Sequence, residues 1–438
     1  MTLAYAPAGV DFAVNTTELW EQSHSHIAPL ASGGFVVVWQ DDRGPGLVSK
    51  AVARVFDAQG EAVTGELALG DLLSDGTPNA IGLASGNFLV TWKTPSWSPL
   101  DGLEHGRIYD PSGNPVGAEF LVGSGLAALT GGGFVATWTD QEGFPTLSQV
   151  RAQVYDGTGA KVGSELTVNA VGAQDLAGAQ VAALPGGGFV VTWKDFGSGS
   201  GSDLALAVQT QVFDSSGAKV GGTVTIAEAA PTIKAMEAVV TGLASGNYVS
   251  AWYSVSSGPT PSYDIFAQIM TPGGAKVGGL IVVNTVTANA QLRASITALP
   301  DGGFALVWDD EGSTVDGLEF DTKMQVFDGA GTKVGPELLI NPGDENPAQL
   351  AQIAALANGD LVVTWADLDS HIRQREGAES DDRVVVVAGE KQGVEARPAV
   401  DAVACRKGGA KHQRVVAGAA KGGIVAVSYT HLTLPTKA

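Results

Sequence analysis

The chain has 438 residues, 44% of them hydrophobic and only 16% charged, with 59 glycines. That length exceeds one ordinary core, and the composition favours short strands joined by tight turns, as several domains or as repeats. A formal net charge of −21 excludes a generally basic face for nucleic acid or an anionic membrane, and a single cysteine, Cys405, excludes an intrachain disulfide framework or a Cys-rich zinc site.

Taken in chain order, the N-terminus carries no basic n-region followed by an apolar stretch, so a cleavable signal peptide is not expected. Nowhere does an apolar run reach the length of a membrane-spanning helix. Asp11-Phe12-Ala13-Val14-Asn15 reads as a strand without companions of its own. Seven similar units follow. Each holds a short apolar strand (A), a glycine turn, and an apolar run ending in tryptophan (B), at Trp39, Trp92, Trp138, Trp193, Trp252, Trp308 and Trp365. Successive tryptophans stand 46 to 59 residues apart, room for four short strands. A variable loop leads to strand C, which ends in an aromatic and an Asp, as in Val55-Phe56-Asp57 and Val212-Phe213-Asp214. A turn of the form Asp-x-x-Gly then opens strand D, as in Glu165-Leu166-Thr167-Val168-Asn169.

Strand B is apolar at nearly every position, the pattern of a strand covered on both faces. The seventh unit has A, B and a strand C at 371–375, then no D, so the unaccompanied strand at 11–15 supplies the missing one. The predicted fold is all-β: a seven-bladed β-propeller with four-stranded blades over 1–375, its ring closed by the N-terminal strand. A β-solenoid is the alternative. Residues 376–438 contain no Trp or Phe and carry nine Lys/Arg against seven Asp/Glu. The pattern breaks off mid-motif there, so this stretch is expected to be a non-native or disordered tail produced by a reading-frame shift.

The unit Gly-Gly-Phe-Val-Val-Thr-Trp, then Ala-Gln-Val-Phe-Asp-x-x-Gly-x-x-Val-Gly, resembles repeats of large secreted bacterial proteins of the haemolysin (RTX), calcium-binding and adhesin-like kind. The resemblance implies an extracellular or cell-surface binding or adhesion module of a longer chain, with calcium as the candidate cofactor. The Gly-Gly-x-Gly-x-Asp nonapeptide of such proteins is absent.

Acidic residues gather after strand B, and Asp41, Asp42, Asp309, Asp310, Glu311, Asp367 and Asp369 are the calcium candidates. Calcium needs several oxygens converging from one loop, whereas solvated turn acids need nothing further. His24 and His26 would share one side of an extended strand, without a third zinc ligand nearby. Trp20, Trp97 and Tyr263 are aromatics outside the B strands that could stack on sugars. The sequence has neither a Gly-x-Ser-x-Gly elbow nor His-Glu-x-x-His, and its glycine turn is unlike the Ser-x-Asp-x-Gly-x-x-Trp box of sialidase-type propellers. The expectation is therefore a protein that is not an enzyme and recognises a protein or glycan through its variable B–C loops. A structural spacer, or a glycan hydrolase or lyase with its site at the central funnel, are the alternatives.

Overall fold

A computed structural model describes residues 4–7, 12–16, 22–42, 48–72, 77–94, 103–142, 147–169, 176–197, 207–228, 233–256, 262–287, 290–311, 320–341, 348–368 and 380–390. Every element among them is a β-strand, and they form an all-β propeller of antiparallel, four-stranded blades. Six blades have the strand order A-B-C-D, within 22–71, 79–123, 125–167, 176–228, 233–282 and 291–339; these are blades 1 to 6. Each A strand packs on the A strand of the next sheet, which places the A strands innermost.

The count of four-stranded blades is a correction to the predicted seven. The last tryptophan lies in a five-stranded sheet in which Ser380–Glu390 pairs with the Trp365 strand, Leu361–Leu368. The strand predicted at 371–375 lies outside the described residues. Ala4–Pro7 and the two-residue strand Phe12–Ala13 both pair with Ser380–Glu390 instead, so the predicted closure is not what these pairings display. Physically, Val384-Val385-Val386-Val387 is a β-branched run well suited to the place beside a central strand. It comes from the stretch that composition sets apart.

The repeated residues have identifiable tasks. The first aromatic of strand B stacks on the last aromatic of strand C, with centroids 4.8 Å apart for Phe134–Tyr155 and Phe189–Phe213 and 4.9 Å for Phe304–Phe327. The glycine before that aromatic is forced where it occurs: a Cβ at Gly34 would collide with the carbonyl oxygen of Phe56. The Asp that ends strand C caps the following turn. Asp156 accepts from the Thr158 hydroxyl at 2.7 Å and from the amides of Thr158 at 2.8 Å and Ala160 at 3.0 Å, and these bonds, the hydroxyl's first, hold its carboxyl below the usual range.

Glutamine in Gln-Val-Phe-Asp fills a β-bulge. Strands C and D slip register beside Gln153, Gln211, Gln268 and Gln325. Each Nε2 donates to the next residue's carbonyl, at 2.8, 3.0, 3.1 and 3.0 Å, and to a carbonyl across the gap in strand D. The bulge leaves backbone acceptors without ladder partners, and the side-chain amide supplies the donors. Replacing the buried Gln325 by Leu keeps the volume and removes the donors. It should destabilise the fold by about 1–3 kcal/mol, measured by denaturant titration; an unchanged midpoint would remove this role from the motif.

Candidate functional site

In five inner strands the pairing with strand B breaks at the same height. The breaks fall between Ser23 and His26, Ala177 and Gln180, Met236 and Ala238, Leu292 and Ser295, and Gln349 and Gln352. At each break one residue is left-handed: His24 (φ 58°), Gly178 (64°), Glu237 (29°), Arg293 (52°) and Leu350 (61°). For a residue with a Cβ this region costs on the order of 1–2 kcal/mol. A bulge re-aims the side chain that it carries. The same strained position thus recurs around the inner end of the sheets, filled by different chemistry each time.

Beside each bulge stands the residue that follows the tryptophan. Register pairs Ala177 with Lys194, Met236 with Tyr253, and Leu292 with Asp309. Asp309 shows how this position is used. It is fully buried, accepts Nη1–H of Arg293 at 3.1 Å, and accepts the amides of Leu350 at 3.0 Å and Ala351 at 3.3 Å. Arg293 belongs to its own sheet and Leu350 to the next, so one carboxylate ties two consecutive bulges. Burial pushes the Asp309 carboxyl up to about 6, against the pull of these hydrogen bonds and of the Arg293 charge.

Tyr253 occupies the same place one blade earlier. Burial raises its phenol to about 12, the negative charge of Glu237 adds to the rise, and the positive charge of Arg293 opposes it. Register sets Tyr253 opposite Met236, next to the bulge residue of its own blade. Its ring meets Tyr263 at 6.3 Å, which brings one sequence-predicted aromatic to this place. Glu237 is exposed, and the Arg293 side chain is 39% exposed. Blade 5 thus sets an exposed carboxylate next to the partner of a phenol that stays protonated at neutral pH, and blade 6 presents a guanidinium anchored by Asp309 at the equivalent bulge. Such a set can transfer protons and hold polar oxygens.

The calcium candidates sit elsewhere or face other partners. Asp41 is buried and accepts Nε2–H of Gln22 at 3.3 Å, and Gln22 in turn accepts from Asn15 at 2.7 Å. Blade 6 repeats this chain: Asn284 donates to Gln291 at 3.1 Å, and Gln291 donates to Asp310 at 3.1 Å. Asp310 also pairs with the ammonium of Lys323, while the adjacent Asp309 turns to Arg293. Glu311 is exposed and Asp42 half-buried. Asp367 lies in the strand opposite Ala348 and Asp381, and Asp369 falls outside the described residues. Among the described residues no three His, Cys, Asp or Glu groups stand as a metal site. Two of these acids, Asp41 and Asp310, thus end a repeated Asn–Gln–Asp hydrogen-bond chain in blades 1 and 6.

His24 lies in a bulge and His26 resumes the register after it, so their strand is not regularly extended there; burial lowers the His26 ring to about 4. Most of the B–C loop residues expected to read a ligand, together with Trp20 and Trp97, lie outside the described residues. Glu104 on blade 2 is a separate enclosed carboxyl, raised to about 7 by burial. Sequence reading missed Lys194, Glu237, Tyr253 and Arg293. The available signal was the column after each tryptophan, where Gln40, Lys93, Thr139, Lys194, Tyr253, Asp309 and Ala366 differ within an otherwise uniform repeat.

Asp309 gives a pH signature. Its folded pKa of about 6 lies above the unfolded value of about 3.9, so its contribution to stability is fully present below about pH 4 and is lost as pH rises through about 6. The melting-temperature difference between the parent protein and Asp309→Asn should fall across that window and level off above it. A difference independent of pH would contradict the buried carboxyl described here.

No protein-family model and no curated protein sequence matches the chain. Among solved structures it is similar to an α-L-arabinofuranosidase from Fusarium graminearum, at 11% identity and TM-score 0.46, over 70% of this chain and 91% of that one. An α-L-arabinanase from Penicillium chrysogenum is matched at 12% identity and TM-score 0.46, over 88% and 97%. The NanB sialidase from Streptococcus pneumoniae is matched at 9% identity and TM-score 0.42, over 86% and 70%. Against the expectation that the chain is not an enzyme, these descriptions name an arabinofuranosidase, an arabinanase and a sialidase. Likeness at this level does not assign an activity, and no helix among the described residues is long and apolar enough to cross a membrane.

Proposed function

We propose that the chain is a glycan-processing propeller, a glycoside hydrolase or lyase whose site is the inner rim of blades 5 and 6. The observation that carries this reading is the register that sets Tyr253 opposite Met236, next to the left-handed Glu237, with the left-handed Arg293 of the next blade held by the buried Asp309. Backbone strain kept at one height of a repeated scaffold, and occupied on neighbouring blades by a carboxylate and a guanidinium, is the pattern of a functional site.

The chemistry follows from the groups. Glu237, exposed, serves as the base that takes a proton from water, or from a sugar carbon in a lyase reaction. Tyr253 remains protonated at neutral pH and donates toward the glycosidic oxygen as charge builds on it. Arg293, fixed by Asp309, holds a substrate oxygen and keeps the sugar in register. The pair is one carboxylate with one phenol, in place of the two carboxylates used by most glycosidases.

The same reading takes the five-stranded sheet as the remaining sector of the ring. It is supported by the inner strand Ala348–Ala355, which packs between those of blades 6 and 1. An extracellular or cell-surface setting and an exported parent chain belong to the proposal too, because polymeric glycans are met outside the cell.

The test is release of reducing ends from a panel of oligosaccharides. Glu237→Gln should lower turnover by about 10²- to 10⁴-fold while the melting temperature holds. Release of nothing by the parent protein, or equal turnover by the variant, would refute the assignment.

A further inference from the structure

The outer edge of blade 5 differs from those of the other blades. All six blades end on a D strand, and that of blade 5 is Lys276–Val282. Among the described residues no strand pairs with its far side. Val283 donates its amide to the Ile265 carbonyl at 2.8 Å. Peptide groups alternate in direction along a strand, so those of Leu280 and Val282 point away from the sheet. The free edge ends at Asn284, whose carbonyl accepts from the Lys333 ammonium of blade 6 at 3.4 Å. An unpaired edge of this kind recruits another strand unless charge guards it.

The other five edges are guarded. Their D strands hold Asp71, Glu119, Glu165, Glu228 and Glu337 respectively. Two of these acids pair with a cation of strand C, Glu165 with Arg151 at 3.7 Å and Glu337 with Lys323 at 3.4 Å. Register sets Arg151 opposite Thr167, Lys323 opposite Leu339, and Phe266 opposite Val282. Glu165 and Glu337 stand two residues before Thr167 and Leu339; two before Val282 stands Leu280. Blade 5 therefore carries Phe266 and Leu280 where blades 3 and 6 carry an ion pair. Leu280 is 57% exposed and Val282 44%, and both lie on the face of Phe266, whose ring stacks with Trp252 at 6.4 Å. No charged residue occurs from Val277 to Val286.

We propose that this edge pairs with its own counterpart in a second copy of the chain. A two-fold axis beside Ile281 sets Leu280 opposite Val282 of the other copy, and Val282 opposite its Leu280. Their outward peptide groups then exchange about four hydrogen bonds in an antiparallel ladder, and the exposed side chains cover one another across it. Charge singles out a second copy as the occupant. Copies of a chain with net charge −21 repel each other, so they meet with least repulsion where a strand edge carries no charge. The same symmetric pairing of any other D strand would bring like carboxylates together. The contact lies at the outer end of the sheet and leaves the inner strands clear, so it does not depend on the function proposed for the rim.

The test is sedimentation equilibrium of the full chain across a dilution series at low and high salt, with hydrogen exchange read at the amides of Leu280 and Val282. A monomer–dimer equilibrium is expected, tightened by salt as the repulsion between copies is screened. Both amides should exchange about tenfold or more slowly in the dimer than in the dilute monomer. Leu280→Glu, which supplies the side chain found in blades 3 and 6, should weaken association about hundredfold while the unfolding midpoint of the monomer holds. Val282→Lys, a second and independent variant, should weaken it as well. A chain that stays monomeric at every concentration and salt would overturn the proposal. So would a dimer that both variants leave intact, one that salt loosens, or one in which the two amides exchange as fast as in the monomer.

Discussion

Adjacent sheets share their cores, and the rest of the structure depends on that shared packing. Phe88, Val90 and Trp92 of blade 2 bury themselves with Val36 and Val38 of blade 1, and Phe304, Leu306 and Trp308 of blade 6 with Val249 and Ala251 of blade 5. No sheet has a core of its own. A strand covered on both faces has little freedom to change, which is why the tryptophan run varies so little from unit to unit. One cluster runs from Leu299 and Val307 through Trp365 to Trp39 and Phe12, so the five-stranded sheet joins blade 6 to blade 1 in the same way.

Where the apolar interface ends, the constraint lifts. The residue after each tryptophan and the bulge residue beside it are the first positions free to differ, and they alternate round the inner rim. Uniform packing below fixes their backbone; the bulge turns their side chains. Asp309 shows the device at full strength, since one buried carboxylate satisfies an arginine of one sheet and two amides of the next. The proposed site and the interface are thus neighbours in sequence by a single residue, from Trp252 to Tyr253 and from Trp308 to Asp309.

The repeat, its four-strand content and the all-β class were legible because unbroken apolar runs, glycine turns and tryptophans leave marks in composition and spacing. The glutamine and Asp-x-x-Gly motifs were legible as pattern, though their task of filling bulges and capping turns needs coordinates. The acids after strand B looked like metal or solvent groups, because the sequence does not show that Gln22 and Gln291 reach Asp41 and Asp310 across the sheet. The strand from 380–390 was hidden by a change of composition, and pairing with Leu361–Leu368 is a non-local fact. The rim escaped notice for a similar reason. Glu237 and Arg293 precede the apolar part of their inner strands, where a left-handed residue breaks the alternation that marks a strand.

The most direct measurement is a crystal structure with a slowly turned-over oligosaccharide bound to Glu237→Gln. The account predicts sugar density at the inner rim, with the scissile oxygen within hydrogen-bond reach of the Tyr253 hydroxyl and a substrate oxygen on Arg293. Density on the outer C–D turns, or on the variable loops with the rim empty, would contradict it.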